Sequence, residues 1–334
     1  MLCALLAGAG AVLASFDLLA RHGLSVLTLS LVLGIAVGNL VPTSAIAAGA
    51  DGIAFAKQRL LRAGVVLYGL RLTVQDIGQI GWVGVAVDAA IVCTTFALAC
   101  WVGIRWLKLD RRTVMLIGIG SSICGAAAVV AAAPVVKSRS EEVAVAVASV
   151  VVFGTLATFL YPVLFAAGAK GWPFPSDAHS FGLYVGSTVH EVAQVIAAAR
   201  TVDPQAADAA VVAKMVRVMM LASFLLALSF TCAEKGDRAA VRLRDKASVP
   251  WFAVGFIALV LFNSLHWLDA QVIAALVHVD TALLAMAMCA LGLGTRVQAV
   301  RQAGRRPLQL ALVLFLWLVL GGAAVNTWVP RLLG

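Results

Sequence analysis

The stretch ADAAVVAKMVRVMMLASFLLALSFTCA, residues 207–233, is apolar over almost its whole length yet carries Lys214 and Arg217 three positions apart. About 20 consecutive apolar residues suffice to cross a hydrocarbon core of ~30 Å as a helix. At ~1.5 Å per residue, a span beginning near residue 207 holds Lys214 ~10 Å deep and Arg217 ~15 Å deep. Ionisable groups at that depth are costly and mark a functional site by default. Lys214 can snorkel back to the interface. Arg217 is too deep for that, and is expected to pair with Glu191, with Asp88 or with a bound anion. A guanidinium fork suits planar oxyanions. A purely structural ion pair between helices competes as an explanation.

The rest of the chain has the same character. It is 62% hydrophobic and 12% charged, against roughly 45–50% and 25% in soluble domains. Continuous apolar runs exclude the alternating ~10-residue strands of a membrane β-barrel. The fold class expected is all-α and polytopic, one transmembrane domain over residues 1–334 without a soluble domain. Candidate spans are 2–20, 23–41, 60–77, 81–104, 113–136, 141–168, 179–200, 207–233, 250–268, 270–295 and 307–330, about 10–11 transmembrane helices. The longest polar stretch, Glu234 to Lys246, is a loop. The first span lacks a basic n-region, which argues against a cleaved signal.

Strict alternation with the N-terminus inside puts Lys57, Arg59 and Arg62, Arg105–Arg112, Lys170, the basic residues of 234–246 and Arg296–Arg306 in the cytoplasm. Only Arg21, Arg71, Lys137, Arg139, Arg200 and Arg331 then face outward, a positive-inside bias with the C-terminus periplasmic. The charge of +9 is therefore a topology signal, and no nucleic-acid partner is expected. The six cysteines lie in or beside apolar runs without a Cys-x-x-Cys pair. They are expected to pack, and no metal or cofactor is expected. Tryptophans 82, 101, 106, 251, 267 and 328 sit at segment ends, as an aromatic belt does.

Two spans look interrupted. Segment 113–136 holds Gly118-Ile119-Gly120-Ser121-Ser122-Ile123-Cys124-Gly125, and segment 179–200 holds Gly186-Ser187-Thr188-Val189-His190-Glu191. In the first, Ser121 or Ser122 is expected to cap a second half-helix, whose amides and dipole favour an anion. Close helix packing through small residues is the competing explanation. In the second, Thr188-x-x-Glu191 fits a capping box, while His190 and Gln194 share a helix face. A His-Glu pair in a dry site has tunable protonation. The lines GSSICGAAAV and GSTVHEVAQV echo each other, as do residues 60–75 and 283–298. Such echoes are what repeat-built transporters leave, although these two do not fit one repeat scheme. Asp88 lies about seven residues into its span among apolar neighbours, either a proton or cation site or the partner of Arg217.

The blocks GIGSSICGAAAVVAAAPVVKSRSEEVAVAVASVVVFGTLATFLYPVL (118–164), FGLYVGSTVHEVAQVIAAA (181–199) and AKMVRVMML (213–221) resemble the YeiH-type bacterial membrane proteins, which carry the label of sulfate exporters. That resemblance implies an architecture similar to sodium/proton antiporters and bile-acid symporters, with inverted repeats and two crossed, broken helices. It implies an inner-membrane secondary transporter of a small anion such as sulfate or an organosulfonate. Ser121, Ser122, Gly125, Ser187, Thr188, Gln194, Lys214 and Arg217 are the expected substrate contacts, and Asp88, His190 and Glu191 the ion-coupling groups. Expected partners are a small anionic solute, the lipid bilayer and, as a further option, a second copy of the chain in a homodimer. No enzyme signature is present: Gln194 stands where a zinc-protease helix has its second His, and no P-loop occurs. An intramembrane enzyme using His190 and Glu191, and a passive anion channel, stand as the alternatives.

Overall fold

In the computed structural model every regular element among the described residues is helical. The structure describes residues 1–16, 25–42, 49–171, 173–232 and 251–333. Arg21, the polar stretch 234–246 and the side chain of Cys232 lie outside the described residues or side chains. Among the described residues, five helices are long and apolar enough to cross a membrane: Gly81–Trp106, Ser140–Gly168, Pro204–Ser229, Ala270–Gly294 and Arg305–Leu333. Together with the shorter apolar helices Leu2–Ala14, Val26–Leu40 and Trp251–Ser264, they make an all-α polytopic membrane protein.

The elements follow in chain order. Helices α1 (Leu2–Ala14) and α2 (Val26–Leu40) precede α3, a rod built from Ala50–Phe55, a π turn over Ala56–Leu60, Leu61–Tyr68 and a 3-10 turn over Gly69–Arg71. Next come α4 (Val74–Cys100), α5 (Arg111–Ser122), α6 (Ala126–Ala132), α7 (Ser140–Gly168), α8 (Ala178–Thr188), α9 (Val192–Arg200) and α10 (Pro204–Cys232). The last are α11 (Trp251–Ser264), α12 (Ala270–Gly294), α13 (Val297–Ala303) and α14, which joins Arg305–Leu316 to Gly322–Leu333 through a π turn. Polar caps start several of them. Asp110 accepts from the Arg112 amide at 2.9 Å, Asp177 from Ser180 at 2.8 Å and Asp269 from Gln271 at 3.0 Å, each satisfying a first-turn N–H that has no helical acceptor.

Packing contacts fix the direction of each helix. Gly103 sits against Val114 and Leu310, and Gly118 against Ala99, so α4 runs opposite to α5; Val87 and Ile91 pack with Leu318, so α4 also runs opposite to α14. Phe153 meets Phe315 at 5.4 Å between ring centroids. Further along, Tyr161 stacks on Tyr184 at 4.9 Å, and the Tyr184 hydroxyl donates to the Val319 carbonyl at 2.7 Å. Helix α7 therefore runs with α14, and hence with α5. Because α5 and α7 start at the same face, α6 and residues 133–139 must return the chain to that face. The same logic applies to α8 and α10: Gly182 packs on Ala206 and Ala209, and Gly186 on Ala210 and Ala213. These helices run side by side in one direction, and α9 is the return arm. Phe165 against Phe181 (4.9 Å) and Tyr161 against Tyr184 make α8 opposite to α7. The second hairpin thus opens on the face opposite to the first.

Both predicted breaks are present, but the broken segments do not cross. The expected pair of crossed, membrane-spanning broken helices is corrected to two re-entrant hairpins that enter from opposite faces and meet tip to tip. Each is followed by a 29-residue helix starting at the hairpin's own face, which is an inverted arrangement. Loop sidedness changes with it. Lys137 and Arg139 join Arg105, Arg111 and Arg305 on the basic face, and Lys170 moves to the other. Apolar composition is the same for a returning arm as for a crossing one; the charge asymmetry is stronger with the arms returning.

Two bundles result. Helices α1, α2, α3, α11 and α12 pack together, and α4 to α10 with α13 and α14 form the other; they meet mainly where α9 touches α2 and α12, and where α11 touches α4 and α10. Within the first bundle, a Cβ on Gly292 would strike the Leu31 carbonyl oxygen and lie 2.7 Å from the Ile35 nitrogen. Those obstacles are backbone and cannot turn aside, and close approach through small residues is how membrane helices gain packing energy. Gly292→Ala is expected to cost about 1–3 kcal/mol, the usual range for overpacking, and to lower the thermal midpoint of the detergent-solubilised protein. Gly294→Ala, where nothing lies within 4 Å, is the control; equal midpoints for the two would refute the contact.

Candidate functional site

The hairpin tips are residues 123–125 and 189–191, and the chemistry there starts from helix ends. The last carbonyls of α5 and α8 and the first amides of α6 and α9 have no intrahelical partners, and water cannot supply them at this depth. The chain answers the carbonyl ends with cations. Lys214 Nζ donates to the carbonyls of Ile123 (2.7 Å) and Val189 (2.8 Å), one from each tip. Arg217 Nε donates to Ile123 at 2.8 Å, and its Nη1 and Nη2 reach the carbonyls of Gly186 and Ser121 at 3.4 Å. Both side chains are 0% exposed. Two positive groups on one face of α10 thus sit at the negative dipole ends of both first arms, where charge of that sign belongs.

A single carboxylate answers the amide ends. Glu191 forms a capping box with Gln194: its side chain accepts from the Gln194 backbone, and Gln194 Oε1 accepts from the Glu191 N–H at 3.2 Å. The same carboxylate accepts from the Ala126 N–H of the other hairpin at 3.4 Å. Gly125 permits this. Its φ of 72° favours glycine, and a Cβ there would lie 2.5 Å from Glu191 Cγ. Gln194 Nε2 also donates to Thr155 at 3.4 Å, which ties the second tip to α7.

Several sequence expectations change here. Lys214 does not snorkel; it points inward. Arg217 forms no ion pair with Glu191 or Asp88, because its donors go to carbonyls. Ser121 and Ser122 do not cap α6. They end α5, with the Ser122 hydroxyl donating back to Ile119 at 3.3 Å, and the Ser121 hydroxyl is buried without a protein partner. Thr188 does not cap α9. It is the last residue of α8 and donates to the Tyr184 carbonyl, leaving the N-cap to Glu191. The helix starts three residues later than the Thr188-x-x-Glu191 pattern implies, because Val189 is extended with φ −71° and ψ 148°. Ser187 donates to Tyr184 (3.1 Å) and receives Asn326 Nδ2 at 2.9 Å. His190 is 1% exposed, and neither ring nitrogen has a protein partner.

Asp88 stands apart from this bonded cluster. It is 1% exposed, and both carboxylate oxygens lack a hydrogen-bond partner. Lys214 and Arg217 act on it electrostatically beyond ion-pair distance. Asp88 forms part of the wall of a cavity of about 910 Å³, which also includes Ser187 and Asn326 and reaches Asp177, Trp328 and Arg331. Those last residues lie where α8 begins and α14 ends, so the cavity opens on the face of the second hairpin.

Sequence reasoning missed Asn326, the partner of Ser187, because a single Asn near a chain end carries no pattern. It also missed a second polar cluster. Arg71 donates to Asp280 at 2.7 and 2.9 Å, and Tyr68 to Asp208 at 2.9 Å. Asp280 is fully buried in an apolar span, so the rule that singled out Asp88 applies to it equally.

The family model described as Conserved hypothetical protein 698 matches residues 1–311. The UPF0324 membrane protein of Pseudomonas aeruginosa is 53% identical over 323 residues, covering 96% of this chain and 91% of that protein. The inner membrane protein YeiH of Salmonella typhi is 48% identical over 314 residues, covering 94% and 88%. YeiH of Escherichia coli K12 is 48% identical over 317 residues, covering 93% and 88%. No solved structure matches. Both blocks that form the hairpin tips fall inside the matched region, and the chain belongs to the YeiH family of bacterial membrane proteins.

Proposed function

We propose that this membrane protein is a secondary transporter of a small anion in the bacterial inner membrane, coupled to proton movement. The basic face is cytoplasmic by the positive-inside rule, which places the N-terminus inside, the C-terminus in the periplasm and the cavity mouth on the periplasmic side. The observation that carries the proposal is the surplus of positive charge at the meeting of the two tips. Each helix end holds roughly half a unit charge. The two amide ends are met by Glu191, and the two carbonyl ends account for about one of the two charges on Lys214 and Arg217. About one positive charge is left at the tips, behind the cavity wall that holds Asp88, Ser187 and Asn326. Movement of one bundle against the other would expose such a site to alternate faces.

Flux into proteoliposomes is the direct test. Labelled sulfate and a panel of small organic sulfonates and carboxylates would be followed with and without a pH gradient. Saturable flux that trans-loaded substrate accelerates is expected. Asn326→Leu, which removes the amide that holds the Ser187 hydroxyl at 2.9 Å and the Gly322 carbonyl at 2.8 Å in the cavity wall, bonds of the usual ~0.5–1.5 kcal/mol, should raise KM up to about tenfold. Non-saturable flux would indicate a channel instead, and absence of flux for the whole panel would overturn the anion assignment.

A further inference from the structure

We propose that Asp88 is the group that takes up and releases the coupling proton, and that it exchanges that proton through the cavity with the face on which the second hairpin opens. This rests on the transporter reading for its role, but not for the proton binding itself. Four titratable side chains at the centre qualify by residue type: Asp88, His190, Glu191 and Lys214, and Lys214 is committed to the carbonyls of Ile123 and Val189. Glu191 is committed to the amide ends of both hairpins, so its protonation would uncap two helices at once. His190 is buried on the tip and is not part of the cavity wall. Asp88 alone combines a wall position with carboxylate oxygens that no protein donor occupies.

The surroundings of Asp88 favour a proton over a metal cation. From α10 the positive charges of Arg217 and Lys214 act on it through space. From α8 the cavity wall adds the Ser187 hydroxyl, and from α14 the Asn326 amide, already bonded to each other. Asp177 and Arg331 are the charged groups at the mouth. A hard cation wants about six oxygen ligands, whereas this floor offers one carboxylate backed by two positive charges, with the Ser187 and Asn326 oxygens already engaged with each other. A proton needs only one carboxylate oxygen. When it binds, the carboxylate changes from −1 to neutral and the surplus positive field of Lys214 and Arg217 reaches the floor uncancelled. Proton binding and anion binding therefore favour each other, and by linkage each raises the affinity of the other equally.

Infrared difference spectroscopy of the full chain in lipid nanodiscs, with pH stepped and no anion substrate present, tests this. Wild type should show the carbonyl stretch of a protonated carboxylic acid that shifts in D2O, and Asp88→Asn should lose that band. Asp88→Glu should keep a displaced band, which separates loss of the site from loss of folding. Asp177→Asn should leave the band unchanged. A bulky impermeant maleimide on Ala324→Cys, in the cavity wall, should slow exchange at Asp88 when added from the cavity face. Persistence of the band in Asp88→Asn overturns the assignment. Suppression of the band by sodium at fixed pH also overturns it, in favour of a metal cation. Loss of the assignment with saturable anion flux intact leaves the transporter reading standing, and a band at Asp88 without flux of any anion removes only that reading.

Discussion

Replacing Arg217 with alanine is expected to leave little folded protein in the membrane. The side chain is fully buried, and its donors reach three carbonyls at the ends of both first hairpin arms. Those oxygens have no water to turn to, so each loses a partner outright. Leaving a buried acceptor unpaired costs about 1–3 kcal/mol; the carbonyls of Gly186 and Ser121 both lose Arg217 while Ile123 keeps Lys214, and whole domains are stable by only about 5–15 kcal/mol. Arg217→Lys should be intermediate, because one ammonium cannot reach the carbonyls of Gly186, Ser121 and Ile123 together. Arg139 is a suitable control: it pairs with Glu142 at 2.9 Å, but its side chain is 71% exposed, and exposed pairs contribute little to stability. Expression and thermal unfolding by size-exclusion profile give the comparison. Arg217→Ala behaving like Arg139→Ala would show that α10 is not what holds the tips together.

Much of this was legible because membrane depth makes charge expensive. Lys214, Arg217, Asp88 and the two glycine-serine stretches stand out in an apolar chain by elementary energetics. What each charge does there was not legible. The partners of Lys214 and Arg217 are backbone carbonyls, which every residue carries and no sequence pattern marks. The cap of α6 is Glu191, 65 residues away, whereas capping rules look only to the adjacent residues such as Ser121 and Ser122. Gly125 was visible as a glycine but not as the position whose positive φ admits that carboxylate. Hairpin versus crossing was likewise hidden. Arms of 12 and 7 residues, or of 11 and 9, sum to the length of one span, and only contacts such as Gly182 with Ala206 decide their direction. The placement of Lys137, Arg139 and Lys170 held the one sequence-level clue, since a returning arm keeps more basic residues on one face.

Glu191→Ala is the other substitution with a large expected effect, and it acts from the opposite electrical side. Its carboxylate caps α9 through the Gln194 amide and α6 through the Ala126 amide. Losing a cap costs about 0.5–2 kcal/mol, and here two are lost together, while Gln194 Oε1 keeps only the backbone N–H of residue 191. Glu191→Gln keeps an acceptor oxygen for one amide and removes the negative charge, so it should fall between wild type and alanine. The sharper result comes from combination. With Glu191 neutral, the tip holds Lys214 and Arg217 with less opposing charge, so neutralising Lys214 as well should relieve part of the imbalance. Glu191→Gln with Lys214→Gln is therefore expected to be less destabilised than the sum of the single variants, by a coupling of about 0.5–3 kcal/mol. Strict additivity would mean that the amide ends and carbonyl ends are satisfied independently. Coupling would mean that the two hairpins, entering from opposite faces, are held by one shared electrostatic balance that a proton on Asp88 is placed to tip.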